Sequence, residues 1–252
     1  MRLALIGDSH VVALGNALTR DRDALLAGSG VSDAVFGKVF SFPQLLKPFF
    51  AVERGGVRLV ERGPAGSLER VLGPGLLGPA RPEIFGISMA YTTSLLLWSL
   101  QWQTHRPWRA CPEGFQPVSD GVVRAMAEEH FRHILGFIAA LRDQGLRLFA
   151  VEAPPPREDH PYVGRTISAE AMLAVDRLAR GRVREALDGM GVETVGVPDP
   201  AYGGVPGRSF LAAPFRSLAE GDYHHANEAY GALMLPAVLA RAAEIGAARA
   251  AA

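Results

Sequence analysis

Apolar positions recur in two periods along these 252 residues. Short apolar runs, closed by glycine, proline or charged residues, alternate with longer stretches whose apolar side chains fall three or four apart. The runs predict buried strands at 2–6, 57–60, 83–89, 146–151 and 192–197. The longer stretches predict helices at 11–26, 68–72, 123–141 and 170–187. In the 123–141 segment Val123, Met126, Phe131, Ile134, Ile138 and Leu141 share one broad face. A last helical pattern, 226–248, contains Pro236, which is expected to kink or restart it. Ser9 stands near the start of the first helix, in position to cap it. Strands separated by helices imply a parallel sheet covered on both faces, a three-layer α/β/α arrangement occupying 1–252 as one domain. In such sheets ligands sit at the carboxyl ends of the strands.

Composition narrows the function. Hydrophobic residues make up 48% of the chain and the formal net charge is zero, so nothing electrostatic calls for a nucleic acid or an anionic membrane. The basic residues are arginine except for Lys38 and Lys47, which reads as coding bias. A lone cysteine, Cys111, cannot form an internal disulfide and reads as structural. The longest apolar stretch, 88–100, is broken by Thr and Ser and is too short to span a bilayer. No basic segment and long apolar run precede the first strand, so a soluble, cytoplasmic protein is expected. No glycine-rich phosphate loop follows that strand, and no nucleotide cofactor is expected. His130 and His133 flank a helix face beside Glu129 without a His-Glu-x-x-His pattern, so they read as core or boundary histidines and no metal is expected. The sequence specifies no oligomeric state.

Two segments carry chemistry. Gly7-Asp8-Ser9-His10 ends the first strand, where a serine is held in the open above a helix N-terminus whose amides can stabilise a developing oxyanion. The same tetrapeptide also suits an ordinary turn and cap. Gly221-Asp222-Tyr223-His224-His225-Ala226-Asn227 lies near the other end. Asp222 and His225 are three apart, which puts both on one side of a helical turn. The aspartate can then fix the histidine tautomer, and the histidine can take a serine proton. His224 is two from Asp222, a poorer spacing for pairing.

Gly7-Asp8-Ser9 and Asp222-x-x-His225-x-Asn227, with Gly231 just beyond, resemble the first and last conserved blocks of the SGNH/GDSL hydrolases. The resemblance implies a flavodoxin-like fold with Ser9 as nucleophile, His225 as base and Asp222 as its orienting partner, needing no cofactor. It also implies an oxyanion hole built from the amides of Ser9 and a second glycine, for which Gly66 in Arg62-Gly63-Pro64-Ala65-Gly66-Ser67 is the candidate; 31–52 is then an unusually long excursion. The family's Gly-x-Asn-Asp block is absent. Its place after the third strand is held by Ser88-Met89-Ala90-Tyr91-Thr92-Thr93, in which a hydroxyl would have to replace the asparagine donor. Trp98 and Trp102 are four apart, as on one helix face, and with Tyr91 and Thr92 they are the candidate substrate-binding residues; Trp108 belongs to the same cluster and Tyr162 to the rim. The expected activity is hydrolysis of a small-molecule or glycan ester, such as an O-acetyl group on a carbohydrate. Acyl transfer by the same triad, or carbohydrate binding without catalysis, are the alternatives.

Overall fold

A computed structural model describes residues 1–250. β1 (Arg2–Gly7) leads into α1 (Val11–Leu26), and β2 (Asp33–Lys38) follows. A one-turn α2 (Phe42–Leu45) and a hairpin of β3 (Phe50–Glu53) and β4 (Gly56–Leu59) precede α3 (Arg62–Leu72). Then come β5 (Ile84–Ser88), the short α4 (Ser94–Leu97), a small pair β6 (His105–Pro107) and β7 (Gln116–Val118), and the long α5 (Asp120–Asp143). The chain ends with β8 (Leu148–Val151), α6 (Ala169–Gly189), β9 (Thr194–Val195) and α7 (Glu228–Ala250).

Five strands form one parallel sheet in the order β2-β1-β5-β8-β9, the doubly wound order of flavodoxin-like folds. Alternate side chains of β1 explain the three layers. Leu3 and Leu5 pack under α1 and α7 with Val11, Leu14, Tyr230 and Met234. Ala4 and Ile6 point the other way, into a core shared with α3, α5 and α6 through Leu68, Phe131, Ile138 and Val175. Ser119 and Ser168 start α5 and α6 by accepting the amides of Val122 and Ala171.

Some sequence expectations are corrected. The strand expected at 57–60 exists as β4, but it pairs antiparallel with β3 outside the main sheet. The missing sheet strand is β2, inside the supposed excursion at 31–52. It is an edge strand with Val35 and Phe36 only half-buried, and Gly37-Lys38 closes it, so it lacks the long apolar run of a central strand. The helix expected at 68–72 starts six residues earlier, with Pro64 tolerated in its first turn. α7 runs through Pro236 as one helix, whereas α1 is interrupted at Asp21 (φ −122°, ψ 31°). Ser9 does not cap α1; His10 occupies the cap position without a side-chain bond. α7 is long and apolar enough, by length and composition, to cross a membrane, with mean hydropathy 1.3. Here its Tyr230, Met234, Leu235, Val238 and Leu239 are buried in the core it shares with α1.

Candidate active site

β1 and β5 lie so close that a Cβ on Gly7 would stand 2.1 Å from the Ser88 carbonyl oxygen. Only glycine fits, and the chain turns at once. The Asp8 amide donates to Ser88 O (3.2 Å), and the buried Asp8 carboxylate accepts from the His10 amide (3.0 Å) and the Thr92 hydroxyl (2.6 Å). Burial pushes the Asp8 carboxyl above its usual range, against the lowering effect of those two bonds. This turn presents Ser9 half-buried at the switch point between β1 and β5, and its amide has no acceptor among the described residues.

The loop bearing Asp222 and His225 is closed at its base. Arg216 and Ala226 pair antiparallel, Ser217 donates to His225 O (3.0 Å), and the Asn227 amide donates to Phe215 O (2.9 Å). Asn227 Nδ2 donates to the carbonyls of Pro214 and Arg216, while its Oδ1 accepts from the Tyr230 amide in the first turn of α7. Asn227 thus joins the loop to the helix. Gly231 lets that helix lie directly on α1, because a Cβ there would be 2.1 Å from Ala13 O. From beneath, the buried Arg157 donates through one nitrogen to the carbonyls of Asp222 (2.7 Å), Ser217 (3.2 Å) and His225 (3.3 Å), and pairs with Asp159 through another (2.7 Å).

These supports place His225 between two partners. Its Nδ1 is 2.9 Å from Asp222 Oδ1 and its Nε2 is 2.7 Å from Ser9 Oγ. With Nδ1–H donated to the carboxylate, Nε2 is left to accept the serine proton. Burial works against the Asp222 charge, but the Ser217 hydroxyl and the amides of His225 and His224 hold its carboxyl well below the usual range. It therefore stays an anion beside the imidazole. His10 and His224 pack around the same ring, His224 at 4.6 Å and His10 at 5.5 Å between centroids. Burial, helped by neighbouring histidines, lowers His10 to about 3 and His224 to about 2, so both are neutral at pH 7. The His224 ring takes no part in the Ser9–His225–Asp222 line; the Ser94 hydroxyl is 3.1 Å from its Nδ1.

Ser9, Asp222, His225, Lys38, Asn16 and Ser217 line an open pocket of about 400 Å³. On the other side of the His225 loop, Trp98, His160, Tyr162 and Tyr223 wall a groove of about 610 Å³ that also reaches His225. Trp98 stacks on His160, with centroids 5.1 Å apart and an interplanar angle of 17°. Trp98 and Tyr162 therefore lie where a substrate could touch them.

The other candidates do not line the Ser9 pocket. Gly66 sits in the second turn of α3, where its amide belongs to the helical ladder, and its exposed side faces a groove that lacks Ser9. Tyr91 is fully buried and its hydroxyl is 2.9 Å from Thr194 Oγ1 on β9; with Thr92 it lines a small cavity of about 30 Å³ beside Trp98, His160, Tyr223 and His224. The single proton of the Thr92 hydroxyl is already given to Asp8, and that of Thr93 to Asp176, so neither stands in for the asparagine. Trp102 is core, with Nε1 donating to Leu96 O; α4 ends before it, so it does not share a helix face with Trp98. Trp108 is half-exposed beneath Arg109 instead. Among the described residues no cluster of three or more potential metal ligands occurs. Sequence reasoning missed Arg157 as the loop's anchor and His160 and Tyr223 as groove walls. The Pro154-Pro155-Pro156 run before Arg157 marks a fixed extended segment, but nothing local ties it to a loop sixty residues later.

No family model matches the sequence, and no curated protein sequence matches it either. Solved structures with similar architecture include an acetyl xylan esterase (TM-score 0.47, 9% identity, 96% of this chain and 99% of that one). They also include a GDSL-like lipase from Bacteroides thetaiotaomicron (TM-score 0.47, 12% identity, 97% and 88%) and phospholipase A1 from Streptomyces albidoflavus (TM-score 0.45, 11% identity, 94% and 97%). At such scores the likeness adds nothing to the reading of the site, which rests on its own geometry.

Proposed function

We propose that this chain is a serine ester hydrolase of the SGNH/GDSL type. The observation that carries the reading is the continuous line of hydrogen bonds from Ser9 Oγ through His225 to Asp222. Ser9 Oγ attacks the ester carbonyl while His225 Nε2 takes its proton; the Asp222 carboxylate stabilises the imidazolium. His225 then protonates the departing alcohol. In the second half, a water deprotonated by His225 attacks the acyl-enzyme and releases the acid, restoring Ser9. The free Ser9 amide is the one backbone donor the turn offers to the oxyanion. The amides that follow β2 are engaged already, Val39 and Phe40 with Gly7 O and Ser41 with Gln44. A hole short of one donor is slower by about 10²–10³, so a modest turnover is expected.

A small acyl group seated in the Ser9 pocket, on an alcohol such as a sugar laid along Trp98 and Tyr162, suits the two open spaces that meet at His225. The depleted oxyanion hole favours one rival, a carbohydrate-binding protein that does not turn over its ligand. A fluorophosphonate probe separates the two. The reading predicts labelling of the wild type that is lost in Ser9→Ala and His225→Ala. A folded wild type that resists labelling would leave the binding protein as the better account.

A further inference from the structure

Several exposed arginines of this protein lie against carboxylates, as Arg58 does with Glu53, Arg142 with Asp143 and Arg20 with Glu228, while Arg54, Arg165, Arg177 and Arg208 have no carboxylate partner among the described residues. On one face three cations without a carboxylate partner gather in a single groove, and that face begins at Ser9. Lys38 closes β2 in register with Gly7, two residues before the serine, and shares the 400 Å³ pocket with Ser9 and His225. From there a second open groove of about 500 Å³ runs over the start of α3, lined by Lys38, Arg62 and Arg70 together with Ser41, Gln44 and Ser67. No carboxylate lines it. Among the described residues Lys38 and Arg62 have no carboxylate partner, and Arg70 bonds only the Ser67 hydroxyl. The adjacent Glu61 turns away to pair with Lys47. In the Ser9 pocket itself both carboxylates are engaged, Asp222 with His225 and Glu228 with Arg20.

We infer that the substrate is an ester carrying a negative charge, a phosphate or a carboxylate, held in the Lys38–Arg62–Arg70 groove while the ester lies at Ser9. The inference rests on the hydrolase reading and names its substrate class. A chain with no net charge gains nothing in solubility from three unpaired cations gathered on one groove. Arginine forks match the two oxygens of such an anion, and lysine adds a point charge at the mouth of the Ser9 pocket. Unsatisfied cations at the rim of a site also steer an anionic ligand inward.

Two matched pairs of esters test this with acid release followed by titration at constant pH. Monobutyrylglycerol 3-phosphate against monobutyrylglycerol places a phosphate on the alcohol side. Ethyl hydrogen succinate against ethyl butyrate places a carboxylate on the acyl side. The anionic member of at least one pair should have the higher kcat/KM by about tenfold, and added salt should erode the preference. Lys38→Met and Arg62→Gln should each cut the anionic-to-neutral ratio by about three- to tenfold, and Lys38→Arg should restore most of it. The pair that responds tells which side carries the anion. If Ser9 labels with fluorophosphonate but neither pair shows a preference, the inference falls and the hydrolase reading stands. If Lys38→Met slows both members equally, Lys38 serves the reacting centre and the anion subsite is refuted. Calorimetric titration with glycerol 3-phosphate, with glycerol as control, reads the groove without catalysis. Binding lost in the Lys38→Met/Arg62→Gln double variant keeps the anion site even if Ser9 proves unreactive, and no binding to a folded wild type overturns it.

Discussion

Replacing Arg157 by methionine should disable the site without touching Ser9, His225 or Asp222. The side chain is 5% exposed and one nitrogen serves the carbonyls of Ser217, Asp222 and His225. The His225 carbonyl keeps a partner in the Ser217 amide, so two carbonyls lose their donor. A buried acceptor left unsatisfied costs about 1–3 kcal/mol, so the variant should lose about 2–6 kcal/mol, less whatever water recovers at the loop surface. The lost ion pair adds little, because Asp159 is 40% exposed and screened. The larger effect is on position. The Asp222 carbonyl is the shortest of the three contacts, and it anchors the residue whose carboxylate orients His225. A shift of about 1 Å at a catalytic group can reduce turnover about 10²-fold. Steady-state kinetics on p-nitrophenyl acetate, with the rate of fluorophosphonate labelling and thermal unfolding by circular dichroism, measures both effects. Arg157→Lys keeps the charge but not the planar fork, and should recover part of the stability and little of the rate. A folded Arg157→Met protein whose kcat lies within about twofold of wild type would refute the positioning role, whatever its melting temperature.

Further outcomes follow from the same geometry. Asp222→Asn should lower kcat by about 10⁴ with little change in KM, as expected when the histidine loses its tautomer; a loss under tenfold would remove Asp222 from the mechanism. Gly231→Ala should destabilise by more than about 2 kcal/mol in urea unfolding, since its Cβ would meet the Ala13 backbone, which cannot yield like a side chain; an unchanged midpoint would show that α1 and α7 can part freely. Stability should fall as pH drops below about 6.5, because unfolded His10 and His224 take up protons that the native state refuses until about pH 3 and 2. Each contributes a slope of up to ~1.4 kcal/mol per pH unit. Asp222, held low, acts in the same sense at more acid pH, whereas the raised Asp8 opposes it. The check is chemical denaturation from pH 7 to 4, in which a flat profile would contradict neutral buried histidines.

The strands and helices that were legible in the sequence are those whose burial is local and complete. β1, β5 and β8 are buried along their whole length or nearly so and read as uninterrupted apolar runs, and α5 and α6 display their core face at helical spacing. β2 was hidden because an edge strand with one covered face and a terminal Gly37-Lys38 has no such run. β4 has the run but spends it on a hairpin, a choice made by pairing partners that periodicity does not encode.

The site divides the same way. The sequence by itself supplied the residues whose chemistry the proposal uses: a serine two positions after the glycine that closes the first strand, and an aspartate and a histidine three apart. It could not determine that Ser9 and His225, 216 positions apart, meet at 2.7 Å. That meeting depends on parallel strand order, on the Gly231 crossing of α7 over α1 and on Arg157 beneath the loop, all of them contacts between distant segments. Only the tertiary structure decided where the hydroxyls after β5 donate, that Gly66 belongs to a helix and Trp102 to the core, and that Lys38, Arg62 and Arg70 face one groove. Local sequence sets what a side chain can do; the packing of remote elements sets which partner it does it with.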